Sequence, residues 1–174
     1  MNELIILTAK YVFLVSIIVW FGYLFTLEKG NKRTFILRTL AAAALAYGLA
    51  KLAGHFYFDA RPFVSDHITP RLPHANDNGF PSDHTLITSL LGFVILTKHR
   101  TLGVIVLLVA LAVGASRVAA GIHHPLDIAG SFVISAIAVG FVLAIEKRLS
   151  HTDSTVAWRL VRHPRYSCTA LYHP

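Results

Sequence analysis

The sequence is poor in charged residues and in cysteine, and each shortage excludes a class of protein. Asp, Glu, Lys and Arg make up 14% of its 174 residues, against roughly a quarter in an ordinary soluble domain. Cys168 is the only cysteine, which excludes an intrachain disulfide and a tetrahedral cysteine-ligated metal site. No basic residue precedes the first apolar run, so we expect that run to be a membrane helix rather than a cleaved signal peptide.

Hydrophobic residues are abundant instead. They make up 55% of the chain, which is more apolar surface than a core of this size could hide, and lipid is the natural solvent for the excess. The net charge is +7, and the lysines and arginines lie mostly at the ends of apolar runs. That placement indicates membrane anchoring rather than a nucleic-acid-binding surface, so we expect no nucleic-acid partner.

Five apolar runs predict an all-α integral membrane helical bundle. Four of them approach or exceed the ~20 residues of a membrane-spanning helix, while the third is short and needs a thinned bilayer or protein surroundings. We expect about five to six transmembrane helices in one domain, residues 1–149, followed by a polar C-terminal tail, residues 150–174. The five runs cover residues 4–27, 35–58, 84–97, 102–120 and 126–145.

The distribution of basic residues predicts the orientation in the membrane. Most lysines and arginines lie in residues 28–38, 98–101 and the tail, which the positive-inside rule puts on the cytoplasmic side. With the N-terminus outside, the polar segments 59–82 and 121–125 both face away from the cytoplasm. Two distant segments of the chain should therefore meet at one membrane face.

Three clusters of polar residues fall at that face. His123 and Asp127 are four residues apart, so they share a face if the stretch is helical, and the carboxylate can fix the imidazole tautomer. Arginine presents a planar group suited to phosphate oxygens, and a helix start such as that at His84 favours an anion. The clusters therefore predict a phosphoryl-transfer site. They are Lys51 with Arg61-Pro62, then Pro81-Ser82-Asp83-His84, then Ser116-Arg117 with His123 and Asp127.

Each of these residues alone has an ordinary structural interpretation. A histidine at a helix end is usually a hydrogen-bonded interface residue, and Arg61 or Arg117 alone would be a snorkelling side chain. Ser82 or Asp127 alone would be a helix N-cap. Their occurrence together at one membrane face favours function, because ionisable groups within a membrane are functional by default.

The clusters resemble the signature of the type 2 phosphatidic acid phosphatase superfamily, K-x6-RP, PSGH and SR-x5-H-x3-D. The third motif matches without a gap, and the second has Asp83 where the family has glycine. The first keeps Arg61-Pro62 but has Gly54 in place of the lysine, with Lys51 one helical turn earlier. The sequences Arg61-Pro62-Phe63-Val64 and Phe80-Pro81-Ser82-Asp83-His84 are similar to the bacitracin-resistance-type undecaprenyl pyrophosphate phosphatases.

This resemblance implies a multi-pass lipid phosphatase of the bacterial cell (inner) membrane with its active site on the extracytoplasmic side. It would hydrolyse a lipid pyrophosphate, undecaprenyl pyrophosphate, through a phosphohistidine intermediate, with neither metal nor cofactor. His123 would be the nucleophile, Asp127 would orient it, and His84 would be the general acid and then the base. The resemblance, together with the sequence, nominates as substrate-binding residues Arg61, Ser82, Arg117, Lys51 and Asp83.

Several alternatives stay open at this point. His124 could replace His123 as nucleophile, although it is three rather than four residues from Asp127. The substrate could be phosphatidylglycerophosphate or phosphatidate, and the phosphate could pass to another lipid instead of water. A membrane transporter or a histidine-ligated haem or metal protein would be a non-phosphatase interpretation. The oligomeric state is not predicted.

Overall fold

The protein is an all-α membrane protein, as the sequence predicts. A computed structural model describes residues 2–162, with side chains described for residues 3–150. Over that range the chain forms no strand, only an isolated antiparallel bridge between Ala60 and Asn78. The helices are α1 (Asn2–Thr26), α2 (Lys29–Phe56), α3 (Pro62–Ser65), α4 (Asp83–Leu96), α5 (Arg100–Ala119) and α6 (Pro125–Arg162).

Four of the described helices are long and apolar enough to cross a membrane. They are α1, α2, α5 and the Pro125–Ser150 part of α6, each with two or fewer charged residues in its most apolar stretch. Many large apolar side chains on these helices are exposed, as expected of surfaces that face lipid. The chain is therefore a multi-pass membrane protein.

Helix α4, with 14 residues, is shorter than these four helices, and its hydroxyl side chains are enclosed by protein. Thr85, Thr88 and Ser89 have no exposed surface. The Oγ atoms of Ser89 and Ser135 lie 2.9 Å apart, and Ser135 Oγ donates to the Leu86 carbonyl at 3.0 Å. An unpaired buried hydroxyl costs about 1–3 kcal/mol, so these bonds allow a short polar helix to lie inside the bundle.

Two helices extend beyond the apolar runs that predicted them. Helix α2 begins at Lys29 rather than at residue 35, because no proline interrupts the basic stretch before it. Helix α6 continues to Arg162, past the predicted start of the tail, and residues 163–174 lie outside the described range. One compact unit ends at Val142 and a second begins at Leu143, so the predicted boundary at residue 149 stays a prediction.

Side-chain and backbone contacts bring the loops together at two ends of the bundle. Near the two short basic loops, Arg38 Nη1 donates to Thr97 Oγ1 at 2.6 Å. At the other end, the Arg71 amide donates to the Ala120 carbonyl at 2.9 Å, which joins the long loop after α2 to the turn between α5 and α6. The two polar segments expected at one face therefore do meet.

Candidate active site

His123 lies in the turn between α5 and α6, and only 2% of its surface is exposed. Its Nε2 is 3.2 Å from Arg61 Nη1 and 3.3 Å from Arg117 Nη2. A guanidinium group can only donate, so Nε2 accepts both bonds and the ring proton is on Nδ1. The nucleophile predicted from the sequence thus presents a lone pair between two fixed positive charges.

Asp127 supports this tautomer from the first turn of α6. It is fully buried, and its Oδ2 lies 3.0 Å from His123 Nδ1. The same oxygen accepts a bond from the His124 amide at 2.9 Å. Pro125 at the start of the helix has no amide hydrogen to leave unpaired, and the positive end of the helix dipole favours the carboxylate. The spacing of four residues predicted this contact.

Other backbone and side-chain groups hold the two arginines in place. Arg61 Nε donates to Asp77 Oδ1 at 2.7 Å, and its Nη1 donates to the Ile122 carbonyl at 2.8 Å. Arg117 Nη1 donates to the Ala9 carbonyl of α1 at 3.0 Å. Within the described residues, Arg117 Nε is buried and has no hydrogen-bond acceptor. A bound phosphate oxygen would provide one.

The second predicted cluster begins helix α4, and its members differ in position. His84 is partly buried against Phe13, with ring centroids 4.5 Å apart, and it lines the same cavity as His123. Asp83 also lines that cavity, where its carboxylate would repel phosphate. Ser82 is fully buried at the N-cap, where its hydroxyl accepts a bond from Thr85 at 3.2 Å, and it is not among the residues that line the cavity. The substrate-binding roles of Asp83 and Ser82 stay predictions.

Close backbone packing explains the displaced lysine of the first motif. A Cβ atom at Gly54 would lie 3.0 Å from the Phe80 carbonyl oxygen and 3.4 Å from Asn78 Nδ2. A lysine could therefore not replace this glycine without a shift of the neighbouring backbone. Lys51, one turn earlier, lines the cavity with its Nζ 5.3 Å from the centroid of the Tyr47 ring.

A cavity of about 510 Å³ joins these residues. It brings together most of the predicted site, while Asp127 lies behind His123 rather than on the cavity surface. The predicted residues on its wall are Lys51, Arg61, Asp83, His84, Arg117 and His123.

The loop after α2 contributes two residues that sequence reasoning missed. His74 lines the cavity, and its ring centroid is 6.3 Å from that of His123. Burial and the charge of Arg61 lower the pKa of His74 below its ordinary value. Burial alone would raise the pKa of Asp77, but the hydrogen bond from Arg61 lowers it below the usual range. Neither residue belongs to a motif, and only the abundance of polar residues in the loop could have indicated them.

Asn78 fastens this loop to the end of α2. Its Nδ2 donates to the carbonyls of Gly54 and Tyr57 at 2.8 and 3.0 Å. Its Oδ1 accepts from the amides of Asp59 and Phe80 at 2.9 and 3.0 Å. One amide side chain thus fixes the backbone on both sides of the cavity wall.

Among the described residues, one group of side chains has the spacing to enclose a small cation. One ligand atom each from Asp59, His124 and Asp127 lie within 4.8 Å of one another. The same spacing suits a proton shared between the two carboxyl groups. The group lies behind His123, and none of its three residues lines the cavity.

Comparison with known proteins identifies related chains. Residues 35–150 match the model of the PAP2 superfamily. The chain is 32% identical over 121 residues to the bacitracin transport permease protein BcrC of Bacillus licheniformis, an alignment that covers 69% of this chain and 60% of that protein. It is 40% identical over 86 residues to the undecaprenyl-diphosphatase BcrC of Bacillus subtilis (strain 168), covering 49% of this chain and 44% of the relative.

The chain thus spans less than two thirds of the length of these curated relatives. Among solved structures, Aquifex aeolicus LpxE superposes with a TM-score of 0.61 at 23% identity. That superposition covers 83% of this chain and 87% of the other. At this level of identity the likeness concerns the fold alone.

Proposed function

The chain belongs to the type 2 phosphatidic acid phosphatase (PAP2) superfamily, and from that premise we propose that it is a membrane lipid phosphatase acting through a phosphohistidine. The observation that best supports this is the environment of His123. Its Nε2 lies 3.2 and 3.3 Å from two guanidinium nitrogens, and its Nδ1 lies 3.0 Å from a buried carboxylate. Phosphoryl transfer requires this combination of a positioned nucleophile and compensation of negative charge.

In the first step, His123 Nε2 attacks the terminal phosphorus of the substrate. The N–P bond forms, the P–O bond to the lipid phosphate breaks, and His84 donates a proton to the departing oxygen. Asp127 stabilises the positive charge that develops on the imidazole, as the carboxylate of a catalytic triad does. Arg61 and Arg117 bind the oxygens of the transferred group, whose charge they offset.

In the second step, His84 accepts a proton from a water molecule. The water oxygen attacks phosphorus, the N–P bond breaks, and inorganic phosphate leaves. His123 returns to the neutral form with its proton on Nδ1. Each histidine thus ends the cycle in its starting protonation state.

We propose undecaprenyl pyrophosphate as the substrate and the bacterial inner membrane as the location. The Bacillus subtilis relative bears the name undecaprenyl-diphosphatase, and it is 40% identical over the aligned region. The cavity has Lys51 on its wall in addition to the two arginines, so it offers a further cationic group for a second phosphate. Phosphatidate and phosphatidylglycerophosphate are the competing substrates.

The substrate assignment can be tested with the purified full chain in detergent. Phosphate release is measured from undecaprenyl pyrophosphate, phosphatidylglycerophosphate and phosphatidate, with and without a second lipid as acceptor. We expect kcat/KM to be highest for the pyrophosphate by about tenfold, which is about 1.4 kcal/mol of transition-state binding. A preference for phosphatidate, or transfer to the acceptor lipid in place of phosphate release, would contradict the proposal.

A transporter is the competing interpretation, because the Bacillus licheniformis relative is named a transport permease. Transport sites usually place polar groups near the middle of the membrane between broken helices. The titratable residues on this cavity wall lie at one end of the bundle and surround one histidine. The enzyme interpretation is therefore favoured, and phosphate release in detergent, where no compartments exist, would distinguish the two.

The active site should face away from the cytoplasm. Asn76 is an exposed residue of the loop after α2, and Lys98 is exposed in the short basic loop before α5. After replacement of Cys168, Asn76→Cys should react with an impermeant maleimide in intact spheroplasts, because the positive-inside rule puts its loop outside. Lys98→Cys, the matched control, should react only after the membrane is broken. The reverse pattern would invert the topology and exclude hydrolysis on the outer face.

The acid limb of the pH profile of kcat/KM should be centred below the ordinary pKa of histidine. Burial lowers the pKa of His123 below its ordinary value, and the charges of Arg117 and Arg61 lower it further, although the hydrogen bond to Asp127 acts in the opposite direction. Only neutral His123 can attack phosphorus, so kcat/KM should fall on acidification only below about pH 6.5. Initial rates from about pH 4 to about pH 8 would show this, with recovery at neutral pH as the control for unfolding. An acid limb centred above neutrality would contradict it.

A further inference from the structure

The two carboxylate oxygens of Asp127 have unequal surroundings. Oδ2 is 3.0 Å from His123 Nδ1 and 2.9 Å from the His124 amide. Oδ1 is buried and accepts no hydrogen bond from any group in the described part of the chain. An unpaired buried oxygen on a charged group costs more than the ~1–3 kcal/mol of a neutral one. A donor for Oδ1 is therefore needed.

The Asp59 side chain lies beside Asp127, with one carboxylate oxygen of each within 4.8 Å of the other. Its carboxyl group is within hydrogen-bonding reach of Asp127, and its Oδ1 lies 3.1 Å from His124 Nδ1. The backbone holds it firmly, because its amide donates to Asn78 Oδ1 at 2.9 Å and its carbonyl accepts from the Gly79 amide at 2.8 Å. Asp59 also stands two residues before Arg61. The same short segment thus contacts His123 through Arg61 and Asp127 through Asp59.

Two carboxyl groups in contact cannot both stay ionised without a compensating proton or cation. Burial and the charge of Asp127 raise the pKa of Asp59 above its ordinary value. Asp127 has two donors on Oδ2 that favour its charged form, so the proton is better held by Asp59. A protonated Asp59 has the hydroxyl that Asp127 Oδ1 lacks.

We propose that Asp59, as a carboxylic acid, donates a hydrogen bond to Asp127 Oδ1 and so acts as a positioning residue for His123. With both oxygens bonded, the Asp127 carboxylate cannot rotate, and Oδ2 stays on His123 Nδ1. His124 packs beside Asp59, with its Nδ1 3.1 Å from Asp59 Oδ1 but without a hydrogen bond to any described residue. The kinetic part of this inference rests on the proposed function.

Asparagine and alanine at position 59 separate this role from simple packing. Asp59→Asn keeps the shape and a permanent N–H donor, so kcat should stay within about threefold of the wild-type value. Asp59→Ala removes the donor, and a misplaced catalytic group typically costs about 10²-fold. We expect kcat on the lipid pyrophosphate to fall 10- to 100-fold on that basis, with KM nearly unchanged, because the two arginines still bind phosphate.

Asp66 provides the matched control. Its Oδ2 lies 3.6 Å from His124 Nε2, on the other side of the same ring, and its side chain is 56% exposed. Asp66→Ala should therefore leave kcat and KM unchanged. If Asp59→Ala does not fold, Asp59→Ser, whose hydroxyl is too short to reach Asp127, takes its place.

A spectroscopic measurement decides the inference even if the substrate differs. In the full chain labelled with ¹⁵N-histidine, the Nδ1 resonance of His123 is identified by its absence from His123→Ala. In the wild type and in Asp59→Asn, the chemical shift of this nitrogen should be that of a protonated, hydrogen-bonded Nδ1. In Asp59→Ala, the chemical shift should differ from the wild-type value. Lack of phosphatase activity in the wild type would contradict the proposed function alone, and this measurement would still test the positioning role.

Three results would overturn the inference. The first is an equal loss of kcat in Asp59→Asn and Asp59→Ala. The second is a His123 resonance that is the same in all variants. The third is loss of activity with EDTA and its recovery with Zn²⁺, which would mean that a cation rather than a proton lies between the carboxyl groups.

Discussion

Replacing His123 by alanine should abolish turnover of lipid pyrophosphates and lipid monophosphates alike. The variant loses the proposed nucleophile, the ring nitrogen that lies between the Arg61 and Arg117 guanidinium groups, so no N–P bond can form there. Removal of a nucleophile that acts as part of a catalytic unit costs on the order of 10⁶-fold in kcat. The activity should therefore fall to the background of the assay with both substrates.

Trapping the intermediate provides the direct measurement. The enzyme is mixed with substrate carrying a radiolabelled terminal phosphate and quenched in alkaline denaturant, because phosphohistidine is labile in acid. Label should appear on the wild-type chain and be absent from His123→Ala. His124→Ala is the matched control: it changes the adjacent histidine, which does not line the cavity, and it should still become labelled, although more slowly. Label on His124, or in His123→Ala, would overturn the assignment.

Replacing His84 by alanine should affect two substrate classes unequally. His84 lines the cavity and is assigned the proton that the leaving group receives. An alcohol leaving from a lipid monophosphate needs that proton more than a lipid phosphate leaving from a pyrophosphate. General acid catalysis is typically worth ~10²–10⁴-fold, so kcat for the monophosphate should fall by that range. The fall for the pyrophosphate should be at least tenfold smaller on the same scale.

The ratio of the two substrates is the quantity to measure, since it cancels any general loss of folded enzyme. His55→Ala is a suitable control, because His55 also lines the cavity but is exposed and lies on α2. Its effect should not depend on the leaving group. An equal loss on both substrates in His84→Ala would contradict the assignment of His84 as general acid.

The sequence predicts the helices well because hydropathy alone determines which stretches can lie in lipid. It predicts the helix ends less well. Helix α2 starts at Lys29, where polar residues continue a helix that the apolar pattern does not mark. The one-turn helix α3, Pro62–Ser65, has no apolar period to reveal it. Such boundaries depend on capping and tertiary contacts rather than on hydrophobicity.

Local spacing explains which part of the site could be predicted. His123 and Asp127 are four residues apart on one helical turn, so their contact follows from the sequence. Asp59 and Asp77 reach the site only because Asn78 ties a long loop to the end of α2. No periodicity encodes that contact. The replacement of the family lysine by Gly54 could be observed in the sequence, but the carbonyl that leaves no room for a side chain could not.

The enclosed hydroxyl groups of α4 have a consequence for biogenesis. Ser131 Oγ donates to the Ser82 carbonyl at 2.9 Å, and Ser135 pairs with Ser89, so α4 depends on a helix synthesised after it. A nascent chain that stops before α6 would expose those polar groups to hydrocarbon, which disfavours insertion. Helix α4 should therefore enter the bilayer together with α6 rather than on its own, and truncation before residue 131 should leave it accessible to protease.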